Sequence, residues 1–298
     1  MQLMDPTPVC AVTGASGYVG SRIADCLRQN ARVISLTRNP RGDKDVPWSL
    51  SSQHEIATQL RHHQVSVLIH AAWDFTAVTP GEIHRINVEG SKRLLASAQE
   101  AGIRRTVFIS TISAFPRARS LYGKSKLEVE SAVAALNVAN MNGIILRPGL
   151  VYGSSPGGVF GSIRRQIRAS ARGSRFIPLI GNGAAPQYLI PEETLADLVA
   201  DAAFGRFDHL AGQPITLANP HPWPFRDLVR GIARAEGRGV TFIPVPWRLL
   251  HAGLRIGERL GRKLPFRSDS VISFVYQDPA PDFSQLQALG IAIPSWSG

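Results

Sequence analysis

The stretch that most constrains this chain is Thr13-Gly14-Ala15-Ser16-Gly17-Tyr18-Val19-Gly20. The apolar run Val9-Cys10-Ala11-Val12 precedes it, and Arg22-Ile23-Ala24-Asp25-Cys26-Leu27 follows it. Strand, tight glycine turn and amphipathic helix are the expected order. Glycine lets a backbone take positive φ and come close to a ligand. The start of the following helix offers unpaired N–H groups and a positive dipole end to a phosphate. The spacing is G-x-x-G-x-x-G rather than G-x-G-x-x-G. We expect the turn, through Gly14, Ser16, Gly17, Tyr18 and Val19, to take the pyrophosphate of a dinucleotide.

The next β-branched run, Arg32-Val33-Ile34-Ser35-Leu36-Thr37-Arg38, ends where a domain that binds NAD places an acid on the ribose 2′-hydroxyl. No acid occurs between Asp25 and Asp43; Arg38 stands there, with Arg41 close by. A cation suits a 2′-phosphate, so the expected cofactor is NADP rather than NAD, against the plainer reading of a solvated arginine. Pro47-Trp48-Ser49-Leu50 reads as a short third strand, and Glu55 to His63 as a helix. Val65 to Ala72 is continuous and apolar, as buried parallel strands are, and small Ala71 and Ala72 at its end let the backbone approach a cofactor. Pro80 to Ala101 reads as one long helix stopped by Gly102, Thr106 to Ser110 as a strand, Tyr122 to Leu136 as a helix and Gly143 to Arg147 as a strand. This alternation calls for an α/β fold with a parallel sheet covered on both faces.

At 298 residues the chain can bury a large core, and 44% hydrophobic with 18% charged residues is a globular composition. Cys10 and Cys26 make no disulfide framework, which points to a reducing compartment. Residues 1–6 lack the start of a signal peptide, and no apolar stretch nears the ~18–20 residues that cross a bilayer. A soluble, cytoplasmic protein is expected. The net charge of +11 comes from dispersed arginines without a nucleic-acid motif, so an anionic substrate, cofactor or membrane surface is the better reading. His54, His62 and His63 make no spaced metal pattern, and no metal is expected.

The chemistry-bearing pattern is Tyr122-Gly123-Lys124-Ser125-Lys126. Tyr122 and Lys126 lie four apart, hence on one helix face. Tyrosine has an unperturbed pKa near ~10, and a nearby ammonium stabilises the phenolate. The preceding strand ends in the hydroxyl cluster Ser110, Thr111 and Ser113, from which one hydroxyl can hold a substrate oxygen.

With these residues the chain resembles an extended short-chain dehydrogenase/reductase, of the NAD(P)-dependent epimerase/dehydratase branch. The likeness rests on Thr13 to Gly20, His70-Ala71-Ala72, Asn87-Val88-Glu89-Gly90, Ser110-Thr111, Tyr122 to Lys126 and Arg147-Pro148-Gly149-Leu150-Val151-Tyr152-Gly153. The resemblance implies a Rossmann-type doubly wound parallel sheet over residues 1–150, with a returning segment near 190–220. A smaller, discontinuous substrate lobe would take 151–189 and 221–298. It implies Tyr122 as general acid/base, Lys126 as its activator and a ribose ligand, and Thr111 as the oxygen's partner, with Ser113 a competitor. It places Ala71, Ala72, Asn87 and Pro148 at the cofactor. Asn87 either supports a proton-relay water or bonds local backbone. A homodimer through two long helices is implied as well.

Some residues depart from the family pattern. Gln187-Tyr188 stands where extended members often carry Arg-Asp, and the acid usual after the third strand is not evident around Trp48-Ser49-Leu50. Arg164, Arg165, Arg168, Arg172 and Arg175 could clamp a nucleotide diphosphate or face solvent. In Trp247 to Gly261, arginines alternate with leucines, and Gly253, Gly257 and Gly261 recur every four residues. That pattern suits close helix packing in the lobe, or an anionic membrane surface. The leading expectation is an NADPH-dependent keto-reductase or epimerase of a nucleotide sugar. The alternatives are a reductase of a non-nucleotide, lipid-like carbonyl and a non-catalytic NADP-binding scaffold.

Overall fold

The computed structural model describes residues 7–53, 55–139, 141–169, 175–262 and 266–298. His54 and Arg172 of the sequence patterns, and residues 1–6, lie outside the described residues. A seven-stranded sheet is built from β1 (Val9–Thr13), β2 (Arg32–Thr37), β3 (Asp45–Pro47), β4 (Val67–His70), β5 (Arg105–Ile109), β6 (Asn142–Pro148) and the strand Pro214–Leu217. Its order is β3-β2-β1-β4-β5-β6 followed by Pro214–Leu217. The described registers are parallel, from Val9 opposite Arg32 to Ile109 opposite Leu146. The strand order turns back at β1 and β4, and ligands of such sheets bind at the carboxyl ends of the strands there.

Helices α1 (Tyr18–Leu27), α2 (Ala57–His62), α3 (Pro80–Ile83), α4 (Glu89–Glu100) and α5 (Leu121–Ala135) connect these strands. β4 is buried throughout, as a strand covered on both faces must be. Ile34, Leu36, Leu68, Leu94, Phe108, Val129, Val133 and Ile145 belong to one core.

Two expectations about this part need correction. The third strand is Asp45–Pro47, earlier than the stretch 47–50. Trp48 and Leu50 are buried beyond the strand, so their apolar character reflects core packing rather than pairing. The long helix expected over 80–101 is interrupted: α3, a π-helical segment His84–Val88 and α4 follow one another. Such wide turns often mark functional positions, and this one carries Asn87.

By internal contacts the chain forms two compact units. The first runs to Ser110 and adds Ser125–Arg147 and Glu193–Ile215; the second holds Thr111–Lys124, Pro148–Glu192 and Thr216–Gly298. The grouping of 111–124 with the second unit departs from the boundaries read in the sequence. In the second unit, Phe160, Ile163, Ile167, Leu228, Val229 and Ile232 pack together. Its strands Arg175–Ile180 and Val240–Val245 pair in parallel, and Leu150–Tyr152 pairs with Leu189–Pro191. Among the described residues no helix is long and apolar enough to cross a membrane.

Candidate active site

The glycine turn is built for close approach. Gly14 has φ +71°, and a Cβ there would stand 3.0 Å from the backbone of Ala72. A Cβ on Gly20 would stand 2.1 Å from the Gly14 carbonyl oxygen, so glycine is required for the turn to lie on its own helix. Gly17 closes the turn onto the Gly14 oxygen (2.8 Å) and starts α1 with extended backbone, no side-chain cap and no acid in the first turn. Tyr18 and Val19 are half-buried in that first turn and Ser16 is exposed. A helix start without a cap or an acid fits an anionic group. The backbone of Ala71 and Ala72 adjoins the turn, pinned by N–H bonds to Thr13 Oγ1 of 3.1 and 3.0 Å.

Arg38 is exposed just past β2. Its charge reaches Asp74, which comes from the loop after β4. The Asp74 carboxyl is held below its usual range. Partial burial pushes it up, but the hydroxyl and amide of Thr76 and then Arg38 outweigh that. The sequence places no acid beside Arg38; the fold brings this one.

Asn87 is fully buried, and both ends of its amide are used by the backbone of Asp74: Oδ1 accepts from Asp74 N at 2.7 Å, and Nδ2 donates to Asp74 O at 2.9 Å. The geometry is that of a staple on the loop after β4.

Lys126 is 2% exposed. Its Nζ donates to Ile109 O at 2.7 Å and lies over the rings of Trp73 (4.1 Å) and Phe108 (4.6 Å). Burial pushes its pKa down to about 7, against the charge of Glu130, which raises it. Glu130, one turn further along α5, is itself buried. It takes a bidentate pair from Arg147, with Nε at 2.9 Å and Nη2 at 2.5 Å, and the hydroxyl of Ser110. Sequence reasoning missed Glu130. The signal was present: Tyr122, Lys126 and Glu130 repeat at four-residue spacing, so an acid stands on the face chosen for chemistry.

In the second unit, Thr111 is 9% exposed, and its hydroxyl is bonded to the phenol of Tyr122. Burial pushes the Tyr122 pKa up to about 12, and the Thr111 bond pulls it back. The rise is opposite to the activation that the tyrosine–lysine spacing predicts. Desolvation of the phenolate dominates here. Ser113, the competitor, donates its backbone N–H to Thr111 Oγ1 at 3.2 Å, and its carbonyl oxygen is where a Cβ on Gly123 would fall. Pro148, buried at the end of β6, accepts from Ile112 N at 2.9 Å.

A second missed residue is Asp269. Its two carboxylate oxygens accept from Leu121 N (2.8 Å) and Tyr122 N (2.9 Å), the first amides of α5. No sequence pattern links positions 148 residues apart.

Of the basic stretch, Arg164, Arg165 and Arg168 are engaged internally. Arg164 donates to the carbonyls of Gly153, Ser154 and Ser155; Arg165 donates to Pro156 O and Ser162 Oγ; Arg168 pairs with Glu236. Gln187 Nε2 donates to the Pro186 carbonyl at 2.9 Å. His84, Glu89 and Glu128 converge, but Lys92 Nζ bonds both carboxylates, at 3.1 and 2.8 Å, which makes them an ion-pair cluster.

The first unit carries a glycine turn at the switch point of a parallel sheet and a buried lysine, and the second carries a tyrosine–threonine pair. The profile of the NAD dependent epimerase/dehydratase family matches residues 10–186, and the chain belongs to that family. It is an NAD(P)-dependent oxidoreductase or epimerase. It is 25% identical over 279 residues to a 4-hydroxy-2-methyl-3-oxo-4-farnesyl-3,4-dihydroquinoline-1-oxide ketoreductase of Stigmatella aurantiaca, covering 85% of this chain and 80% of the relative. It is 26% identical over 258 residues to a ceramide reductase of Caulobacter vibrioides (81% and 75% covered). Its fold is similar to GDP-mannoheptose C4 reductase of Campylobacter jejuni, solved with NADP, at TM-score 0.75, 13% identity and 99% and 96% coverage.

Proposed function

We propose that the protein is an NADP(H)-preferring ketoreductase whose substrate is a non-nucleotide, lipid-like carbonyl compound. The observation that carries the choice of substrate is the engagement of Arg164, Arg165 and Arg168 within their own unit, which leaves them poor candidates for a diphosphate clamp. The names of the two sequence relatives support it. The nucleotide-sugar reading keeps the name of the structural relative behind it.

The dinucleotide, when bound, supplies the hydride that makes the new C–H bond. The residues of this chain manage the oxygen. A phenol pushed up to about 12 is a proton donor at neutral pH, and an alkoxide is the stronger base. Tyr122 therefore hands its proton to the carbonyl oxygen as the π bond breaks, and Thr111 holds that oxygen in place. Lys126, one turn along the same helix, favours the phenolate left behind. Gly14, Ser16, Gly17, Tyr18 and Val19 would hold the pyrophosphate, and Arg38 a 2′-phosphate. Ala71 and Ala72 would line the backbone approach, and Asn87 would act through the loop it staples.

Two assays test this. NADPH oxidation is followed with a long-chain 3-oxo ester, a small ketone and a nucleotide 4-keto sugar. Saturable turnover of the nucleotide sugar alone would replace the proposed substrate class. Calorimetry with NADP⁺ and NAD⁺ is run beside Arg38→Ala. Tighter NADP⁺ binding that the variant loses is expected, and equal NAD⁺ binding removes the preference. We further propose a homodimer through α4 and α5, where Leu95, Ala96, Gln99, Ala132 and Ala135 line a shallow groove. Light scattering giving a monomer mass would exclude it.

A further inference from the structure

The helix Trp247–Arg259 divides into three sectors. At about 100° per residue, Trp247, Leu250, Leu254 and Gly257 share one side; Arg248, Arg255 and Arg259 fall within about 40° of arc; and Leu249, Ile256 and Leu260 fall within about 40° on the far side. The structure treats the sectors differently. The first is the covered one: Gly257 is buried, and Trp247, Leu250 and Leu254 are half-buried. The ring of Trp247 meets Tyr276 at 5.7 Å, and the neighbouring helix Ser268–Val275 packs here. Glu258, the one carboxylate of the helix, is turned to that neighbour and accepts from Ser268 N and Oγ, both at 2.7 Å. The three arginines are exposed. The third sector is exposed too, although it is aliphatic: Leu249 is 68%, Ile256 59% and Leu260 69% accessible.

The glycine repeat does not explain this face. Gly253 has nothing within 4 Å of where its Cβ would be, and Gly261 lies past the helix at φ +68°. Only Gly257 is buried, so the repeat is not a packing seam. Lobe packing uses one sector and leaves the other two.

We infer that this helix lies on an anionic phospholipid surface, with Leu249, Ile256 and Leu260 dipping into the acyl boundary and Arg248, Arg255 and Arg259 at headgroup level. An exposed aliphatic row beside a row of arginines is the pattern of an interfacial helix, and arginine stems cover apolar surface while their heads stay with phosphate. The charge row chooses the occupant. A second copy of the same helix brings arginines toward arginines, whereas a leaflet of acidic lipid supplies opposite charge along the whole row. This inference does not rest on the ketoreductase reading.

The test is co-sedimentation of the full chain with phosphatidylcholine vesicles, with and without about one third phosphatidylglycerol, at low and high salt. The overall charge of +11 attracts any anionic surface, so the variants decide. Leu249→Ser/Ile256→Ser/Leu260→Ser should lower partition to the anionic vesicles about tenfold. Arg248→Gln/Arg255→Gln/Arg259→Gln should lower it about tenfold or more and flatten its salt dependence. Exposed arginines elsewhere, in Arg104→Gln/Arg234→Gln, should change it less than about twofold. No partition, or equal loss in all three variants, overturns the inference. So does a concentration-dependent dimer, seen by sedimentation velocity, that the leucine variant dissociates, because the face would then belong to a second copy.

Discussion

Thr13 Oγ1 stands 2.8 Å from His70 Nδ1, and the proton between them belongs to the threonine. That oxygen already accepts the N–H groups of Ala71 and Ala72, so its own hydrogen goes to Nδ1. His70 then carries its hydrogen on Nε2 and donates it to Ser91 Oγ at 2.8 Å, which donates in turn to Asn87 O at 2.6 Å. One neutral imidazole thus ties the end of β1 and the end of β4 to α4 and, through Ser91, to the π-helical segment.

The network makes stability sensitive to acid. Burial pulls the His70 pKa down to about 3, and the charge of Lys126 adds to that. The unfolded chain, with histidine near ~6.5, takes up its proton first as pH falls. Stability from this group is therefore complete above ~6.5 and is lost as pH falls toward 3, by at most about 1.4 kcal/mol per unit. His70→Gln should be less stable at neutral pH by about 1–3 kcal/mol. The gap to wild type should narrow between pH 7 and 5 in urea unfolding; a constant gap would mean that His70 is not buried neutral.

Lys126 carries a stability cost of the opposite use. With its pKa near 7 in the folded chain and ~10.4 unfolded, the folded state binds fewer protons between these values. Stability therefore rises as pH rises from 7 toward 10. Lys126→Met should be inactive yet at least as stable as wild type at pH 6, with that advantage shrinking by pH 9. Thermal unfolding at the two pH values measures it. A variant that is less stable at pH 6 than at pH 9, relative to wild type, would reverse the sign.

The tyrosine–threonine pair predicts a split between binding and turnover. Tyr122→Phe should cut kcat about 10²–10⁴-fold, the usual worth of a positioned acid, with cofactor binding retained. Thr111→Val should cost less than this, and Thr111→Ser should restore most of the loss, because Thr111 acts through a hydroxyl that either residue supplies. If Ser113→Ala proved the costlier change, Ser113 would hold the substrate oxygen. Stopped-flow turnover with NADPH reads all four variants.

Much of this arrangement is visible in sequence because it is local. The strands of the sheet are apolar runs with turn residues between them, and Tyr122, Lys126 and Thr111 lie within sixteen residues. What depends on distant pairing is not visible. The strand Arg175–Ile180 finds its partner at Val240–Val245, across 60 residues, and neither segment shows a pattern that specifies the other. The π-helical turn at Asn87 leaves no mark either, since its residues read as ordinary helix. The basic stretch at 164–168 reads as either a ligand clamp or a solvated face, because sequence shows charge and not the carbonyls that absorb it.

Asp269 is the clearest such case, and it carries the last prediction. The first amides of a helix have no partner within it, and a carboxylate that takes two of them fixes where the helix begins. Here the helix begins with Leu121 and Tyr122, so Asp269 sets the position of the proposed proton donor through its backbone. Asp269→Ala should cost about 0.5–2 kcal/mol of stability, the usual worth of a cap. A cap that served stability alone would leave turnover unchanged wherever the protein stays folded. A positioning residue lowers kcat well below the optimum while KM for NADPH stays near wild type, because the cofactor turn is built from other residues. Asp269→Asn, which keeps one oxygen to accept, should recover part of both losses. If kcat of Asp269→Ala equalled wild type at a temperature where both are folded, Asp269 would be a cap and nothing more.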